Sequence, residues 1–140
     1  MKKTAVIYWS GTGNTEAMAN AVAEGMKEAG AEVTVMTADQ VDANALSYSA
    51  IAFGCPAMGS EVLEEVDFQP VFDGCKNRLG GTSVALFGSY GWGDGEWMRS
   101  WEKDCSDAGV NLVCESVTCC EAPDDAALTA CRELGKTLAK

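Results

Sequence analysis

"YWSGTGNTEA", Tyr8 to Ala17, is the stretch on which the fold turns. The apolar run "TAVIYW" (4–9) stops in a burst of glycine and hydroxyl residues, and a helical pattern starts at once. A strand, a tight polar loop and a helix N-terminus in that order form a cradle for an anion, because backbone N–H groups and the helix dipole point into the loop. The loop "SGTGNT" contains no lysine or arginine. A triphosphate-binding loop needs GxxxxGK[ST], and that lysine is missing. A dinucleotide loop needs GxGxxG, and its third glycine position is Glu16. What remains is three hydroxyls (Ser10, Thr12, Thr15), one carboxamide (Asn14) and two glycines, Gly11 and Gly13. Taken alone, the stretch reads either as a tight turn with a helix cap or as a phosphate cradle working by hydrogen bonds.

Outward from this loop the chain alternates. Apolar, β-branched runs fall at about 4–9, 32–37, 49–54, 82–88 and 110–118. Helical patterns lie between them. "NTEAMANAVAEGMKEAG" puts Ala17, Met18, Ala21, Val22, Met26 and Ala29 on one face, with Gly30 as a C-cap. A second helical segment spans part of 63–78, with Pro70 at its start or kinking it. A third covers 95–108 and a fourth 124–138, entered through Pro123 and Asp124; the stretch 38–48 has room for a turn of helix. The alternation predicts an α/β fold: a doubly wound parallel sheet of five strands, helices on both faces, ligands at the C-terminal strand ends. The 140 residues, with no repeats or linkers, fit a single domain over 1–140.

Composition narrows the function. Net charge is −11, from 21 acids and 10 bases, which argues against nucleic acid and anionic membrane as partners. No Lys or Arg occurs between Lys27 and Lys76, or between Lys103 and Arg132. No apolar stretch has the length of a membrane span, and "MKKTAVIYW" reads as a first strand, so the expected location is cytoplasmic. Seven cysteines lack CxxC spacing and there is no histidine, so a zinc site and a Cys–His or Ser–His–Asp centre are unsupported. The cysteines read as reduced, mostly buried thiols, the adjacent Cys119 and Cys120 included.

Two further strand-end loops are unusual. "CPAMGSEVLEE" (55–65) holds a Met-Gly-Ser turn in which glycine permits a backbone flip. "GSYGWGDGEW" (88–97) sets Tyr90 and Trp92 among four glycines, as suits an aromatic held at a surface against a flat ligand. The three loops together describe one ligand: a phosphate at one end and a flat ring at the other, between Met58 and Trp92.

"YWSGTGNTEAMA", "GCPAMGSEVLEE" and "ALFGSYGWGDGEWM" resemble the loops of the flavodoxins, small FMN-binding electron carriers, and most of all the short-chain clostridial type. The resemblance runs over 4–138 and implies strand order 2-1-3-4-5. It implies that Ser10, Thr12, Asn14 and Thr15 bind the FMN phosphate without a counter-charge, Gly11 and Gly13 supplying backbone. Trp92 corresponds to the aromatic on the outer flavin face and Met58 to the residue on the inner face. Glu61 corresponds to the carboxylate that accepts from flavin N3–H, and Gly59–Ser60 to the peptide that turns its carbonyl toward N5. Ser89 and Gly91 fall at the ring edge or phosphate side, and Tyr90 and Gly93 in the same loop. Pro56, beside Ala57, replaces a serine that adds a phosphate contact in some relatives. Glu121 is a further candidate near the last strand end.

The implied function is a low-potential one-electron carrier shuttling between semiquinone and hydroquinone, not an enzyme with its own turnover. Nine acids, Glu61, Glu64, Glu65, Asp67, Asp94, Glu96, Glu121, Asp124 and Asp125, fall in or just after the strand-end loops. They form an expected acidic rim that disfavours an anionic reduced flavin and steers basic redox proteins. The chain is expected to be a monomer. An FMN-dependent quinone reductase and a receiver-like signalling domain are the rival readings; the first needs room above the ring, the second an acidic first strand end.

Overall fold

The computed structural model describes residues 2–11, 13–41, 47–58, 62–91 and 95–140. Strand β1 (Lys3–Tyr8) lies inside the sheet, and five of its six residues are buried, as a strand covered on both faces requires. It pairs in parallel with β2 (Glu32–Thr37) on one side and β3 (Ala50–Gly54) on the other, Tyr8 lying opposite Thr37 and Gly54. Next come β4 (Ser83–Tyr90) and two short segments, β5 (Asn111–Leu112) and β6 (Val117–Cys120). The order is β2-β1-β3-β4-β5, with β6 also parallel to β4. The expected doubly wound sheet and its strand order are observed.

Helices α1 (Asn14–Glu28) and α4 (Asp125–Ala139) cover one face, over Val6, Ala52, Ala85 and Phe87. Helices α2 (Phe68–Cys75) and α3 (Glu96–Asp107) cover the other, over Ile7, Ile51, Phe53, Val84 and Leu86. There Phe72 and Trp101 meet edge to face at 5.6 Å, and Trp101 meets Phe68 likewise at 5.4 Å. Met18, Ala21, Val22 and Met26 of α1 are buried as expected; Ala17 is half-buried and Ala29 exposed. Gly30 adopts φ +88° just past the helix, and its N–H bonds to the Lys27 carbonyl.

One expectation needs correction and two are borne out in finer detail. The run 110–118 is not one strand. β5 pairs with Ser83–Val84 and β6 with Phe87–Tyr90, so four residues, 113–116, stand opposite Ala85 and Leu86. The register slips by two, an even number, which keeps the side-chain alternation: Val117 and Cys119 still pack toward the α1/α4 face. Within 63–78 only Phe68–Cys75 is α-helix, continued by a 3₁₀ turn Lys76–Arg78; Pro70 is its third residue, where no intrahelical N–H is required. The 38–48 turn of helix is the 3₁₀ turn Ala38–Gln40.

Candidate functional site

The chain passes from β1 outward to β2 and then returns across β1 to β3. The crevice where this reversal occurs, at the C-terminal ends of β1 and β3, is where open α/β sheets bind ligands. Its floor is tied together by the Trp9 N–H, which donates to the Gly54 carbonyl at 3.0 Å.

The Ser10–Thr15 loop leaves β1 here. Gly13 takes φ +95° at the start of α1, a conformation that a side chain would strain, and no atom lies within 4 Å of where its Cβ would stand. The Ser10 hydroxyl accepts from the Gly13 N–H at 3.1 Å and the Glu16 N–H at 3.3 Å, which folds the loop over the helix end. Thr15 is buried, and its hydroxyl lies 3.4 Å from that of Ser89, also buried, so the loop is latched to the end of β4. Asn14 faces a cavity of about 480 Å³ whose other walls are Ala57, Ser89, Tyr90, Gly91, Glu121 and Ala122. Among the described residues, none that lines it is basic.

Three of the sequence-derived loops therefore converge on one cavity. Ser89, Tyr90 and Gly91 end β4; Ala57 follows β3; Asn14 opens α1. The Ala57 N–H donates to the Ser89 carbonyl at 2.9 Å and holds two of the loops together. Pro56 and Met58 are half-buried beside Ala57, and the Met58 N–H donates to the Val62 carbonyl at 2.9 Å. Thr12, Gly59, Ser60, Glu61, Trp92 and Gly93 lie outside the described residues.

Glu121 takes φ +57°, the only described non-glycine residue with positive φ, and its N–H donates to the Tyr90 carbonyl at 2.6 Å. That strained turn brings Glu121 and Ala122 to the cavity wall. A second cavity, about 580 Å³, lies on the other side of the Ser10 loop. The predicted phosphate residues Ser10, Gly11 and Gly13 line this one, with Tyr8, Trp9, Glu16, Thr37, Asp39 and Asp67, and Tyr8 OH lies on Glu16 (3.1 Å) and Trp9 Nε1 on Asp67 (3.4 Å). Trp9, Thr37 and Asp39 were not expected at the site. The signal for them is only that they end β1 and β2.

Of the nine acids expected to form a rim, six are exposed. Glu65, Asp67, Glu96, Glu121, Asp124 and Asp125 are exposed, while Glu61 and Asp94 lie outside the described residues. Glu64 does not belong to the rim. It is buried, and its carboxylate accepts from the Val66, Asp67 and Phe68 N–H groups at 2.9, 2.7 and 2.8 Å, capping α2. Burial alone would raise its pKa, but the three backbone donors outweigh that and hold it below the ordinary value. Asp124 is exposed and caps α4, accepting from the Ala127 N–H at 2.8 Å.

Comparison with known proteins gives the same answer as the geometry. The family model described as Flavodoxin matches residues 6–135. The chain is 44% identical over 136 residues to a flavodoxin of Megasphaera elsdenii, covering 96% of this chain and 97% of the relative. It is 42% identical over 135 residues to a flavodoxin of Clostridium beijerinckii, with the same coverage. The solution structure of the two-electron reduced Megasphaera elsdenii flavodoxin superposes with a TM-score of 0.88 at 43% identity, covering 97% of this chain and 98% of that one. A cradle without cations at the first strand end, aromatic and glycine-rich segments opposite it, and these relatives lead to one assignment: the chain belongs to the flavodoxin family.

Proposed function

We propose that the whole chain, as one domain, holds a single non-covalent FMN across the ends of β1, β3 and β4. The phosphate is assigned to Ser10, Gly11, Thr12, Gly13, Asn14 and Thr15. The ring is assigned to the space between Pro56–Glu61 and Ser89–Gly93. The observation that carries this reading is the cavity where Asn14, Ala57 and Ser89–Gly91 meet although they are far apart in sequence. A strand order of this kind is itself a standard illustration of ligand binding at the topological switch point. The donor set fits a phosphate monoester: an N-terminal helix end, a carboxamide and hydroxyls, with the glycine at +95° leaving open space for close approach.

As a member of its family the chain is an FMN-binding, low-potential electron carrier that exchanges electrons with protein partners; it is not an enzyme. When bound, FMN supplies reversible one-electron chemistry at its ring, and the protein tunes it. In the reading proposed here, Met58 and Trp92 cover the two ring faces and exclude water. In that reading the Gly59 peptide would offer its carbonyl to flavin N5, and Glu61 would accept from N3–H. Exposed Glu65, Asp67, Glu96 and Glu121 set a negative field that opposes added negative charge on the ring and attracts basic partners. The chain is proposed to act as a cytoplasmic monomer; no helix among the described residues is long and apolar enough to cross a membrane.

The deciding experiment is an anaerobic reductive titration of the FMN-loaded protein followed by visible absorption. Two resolved one-electron steps are expected. A single two-electron bleach would point instead to an FMN-dependent reductase, and failure to bind added FMN would overturn the assignment of the loops.

A further inference from the structure

The segment that follows β3 carries the residues assigned to the inner ring face, and one side chain ties its two ends together. Cys55 is fully buried. Its Sγ accepts the Glu64 backbone N–H at 3.4 Å, across nine positions of chain, and its S–H donates to the Pro56 carbonyl at 3.6 Å. The backbone of the same residue is equally committed. Its N–H donates to the Phe87 carbonyl at 3.2 Å, and its carbonyl accepts the Trp97 indole N–H at 3.1 Å. The end of β4, the start of α3 and the far limb of the segment thus meet on one residue. Burial pushes the thiol up to about 12, so it stays protonated and serves as donor and acceptor together. Cys75 is just as buried in the same core, yet its side chain makes no hydrogen bond among the described residues. Burial alone does not account for the contacts of Cys55.

We propose that Cys55 is a positioning residue of the electron-carrying site: its thiol clamps the Glu64 end of the segment to the end of β3 and so sets how closely Pro56, Ala57 and Met58 approach the ring. The inference rests on assigning the ring to that segment. Length matters to the clamp. The long C–S bond and large sulfur reach both partners at 3.4–3.6 Å, whereas a serine hydroxyl on the same backbone is too short to hold both.

The test compares wild type with Cys55→Ala, Cys55→Ser and Cys75→Ala. Each is measured for thermal unfolding, FMN dissociation constant, separation of the two reduction steps, and amide hydrogen exchange at 62–64 with and without FMN. Cys55→Ala and Cys75→Ala are expected to lose comparable thermal stability, since each removes one buried sulfur. Only Cys55→Ala is expected to speed exchange at 62–64, to raise the FMN dissociation constant about three- to tenfold, and to shift the separation of the two steps. Cys55→Ser, which keeps one of the two contacts, is expected to fall between. Exchange at 62–64 that is unchanged in Cys55→Ala overturns the clamp. Faster exchange with unaltered FMN affinity and step separation overturns the positioning role. Failure of every variant and of wild type to bind FMN strikes the functional reading, and the exchange measured without FMN still decides the clamp.

Discussion

Glu64 shows how much one side chain can do where its residue type suggests something else. In sequence it is one of a run of acids; in the structure it is the cap of α2, with three backbone donors on its two oxygens. Glu64→Ala is expected to cost about 1–3 kcal/mol in urea unfolding at neutral pH, through three unsatisfied donors at a helix N-terminus. Because the folded carboxyl titrates below its ordinary value of 4.5, its stabilisation is complete above that pH and is lost as pH falls through the folded value. The wild-type advantage over Glu64→Gln should therefore shrink on acidification, and unfolding curves taken at a series of pH values measure this directly. At the cradle, Asn14→Asp keeps the shape of the side chain but puts a negative charge beside the proposed phosphate. FMN titration followed by flavin fluorescence should show affinity reduced by tenfold or more, on the order of 1.4 kcal/mol or above.

Among the elements, the pairing of α1 with α4 depends on two glycines inside helices. A Cβ on Gly25 would stand 2.0 Å from the Arg132 carbonyl oxygen, and one on Gly135 would stand 2.1 Å from that of Val22. Each helix presents bare backbone to the other's carbonyl, and the axes approach more closely than any side chain would allow. Alanine is the better helix former by about 1 kcal/mol, so Gly135→Ala would stabilise an isolated helix. Here the clash is with backbone, which cannot rotate away, and a net loss of about 1–3 kcal/mol is expected in thermal or urea unfolding. FMN affinity should be unchanged, since no described residue of α4 lines either cavity at the strand ends. The break between β5 and β6 belongs to the same scale. The two extra residues within 113–116 let β6 continue along β4 to Tyr90, where the Glu121 turn reaches the cavity.

For the whole molecule, charge and thiols give two tests. With a net charge of −11 and the proposed acidic rim at the strand ends, electron transfer to a basic redox protein should slow steeply as salt is added. Stopped-flow rates over a range of ionic strength measure this, and a flat response would remove the steering role from the rim. The seven cysteines are all free thiols. Cys55, Cys75, Cys105 and Cys131 are buried, Cys114 and Cys119 half-buried, and Cys120 exposed. Burial pushes Cys55, Cys105 and Cys131 up to about 12, which leaves almost no thiolate at neutral pH. Alkylation of the native protein should give one fast label, mapped by peptide mass to Cys120, with the buried four reacting only on unfolding.

What was legible in the sequence is what short-range pattern encodes. The apolar run into "SGTGNT", the helical spacing after it and the alternation of strands and helices determined the α/β class with its parallel sheet. Resemblance to the flavodoxins supplied the strand order and the FMN. The class read correctly because local backbone preference and burial on both faces act over a few residues at a time. The tertiary structure alone decided the rest: the carboxylate of Glu64 turned inward as a cap, the thiol of Cys55 spanning a loop, Gly25 against Arg132 and Gly135 against Val22 where α1 meets α4, the two-residue slip in the last strand, and Trp9 and Asp39 beside the cradle. Each depends on a neighbour distant in sequence, or on which way a loop turns once the core beneath it is packed. An acid that caps and an acid that faces water are the same letter, and only the positions of the donors around it tell them apart.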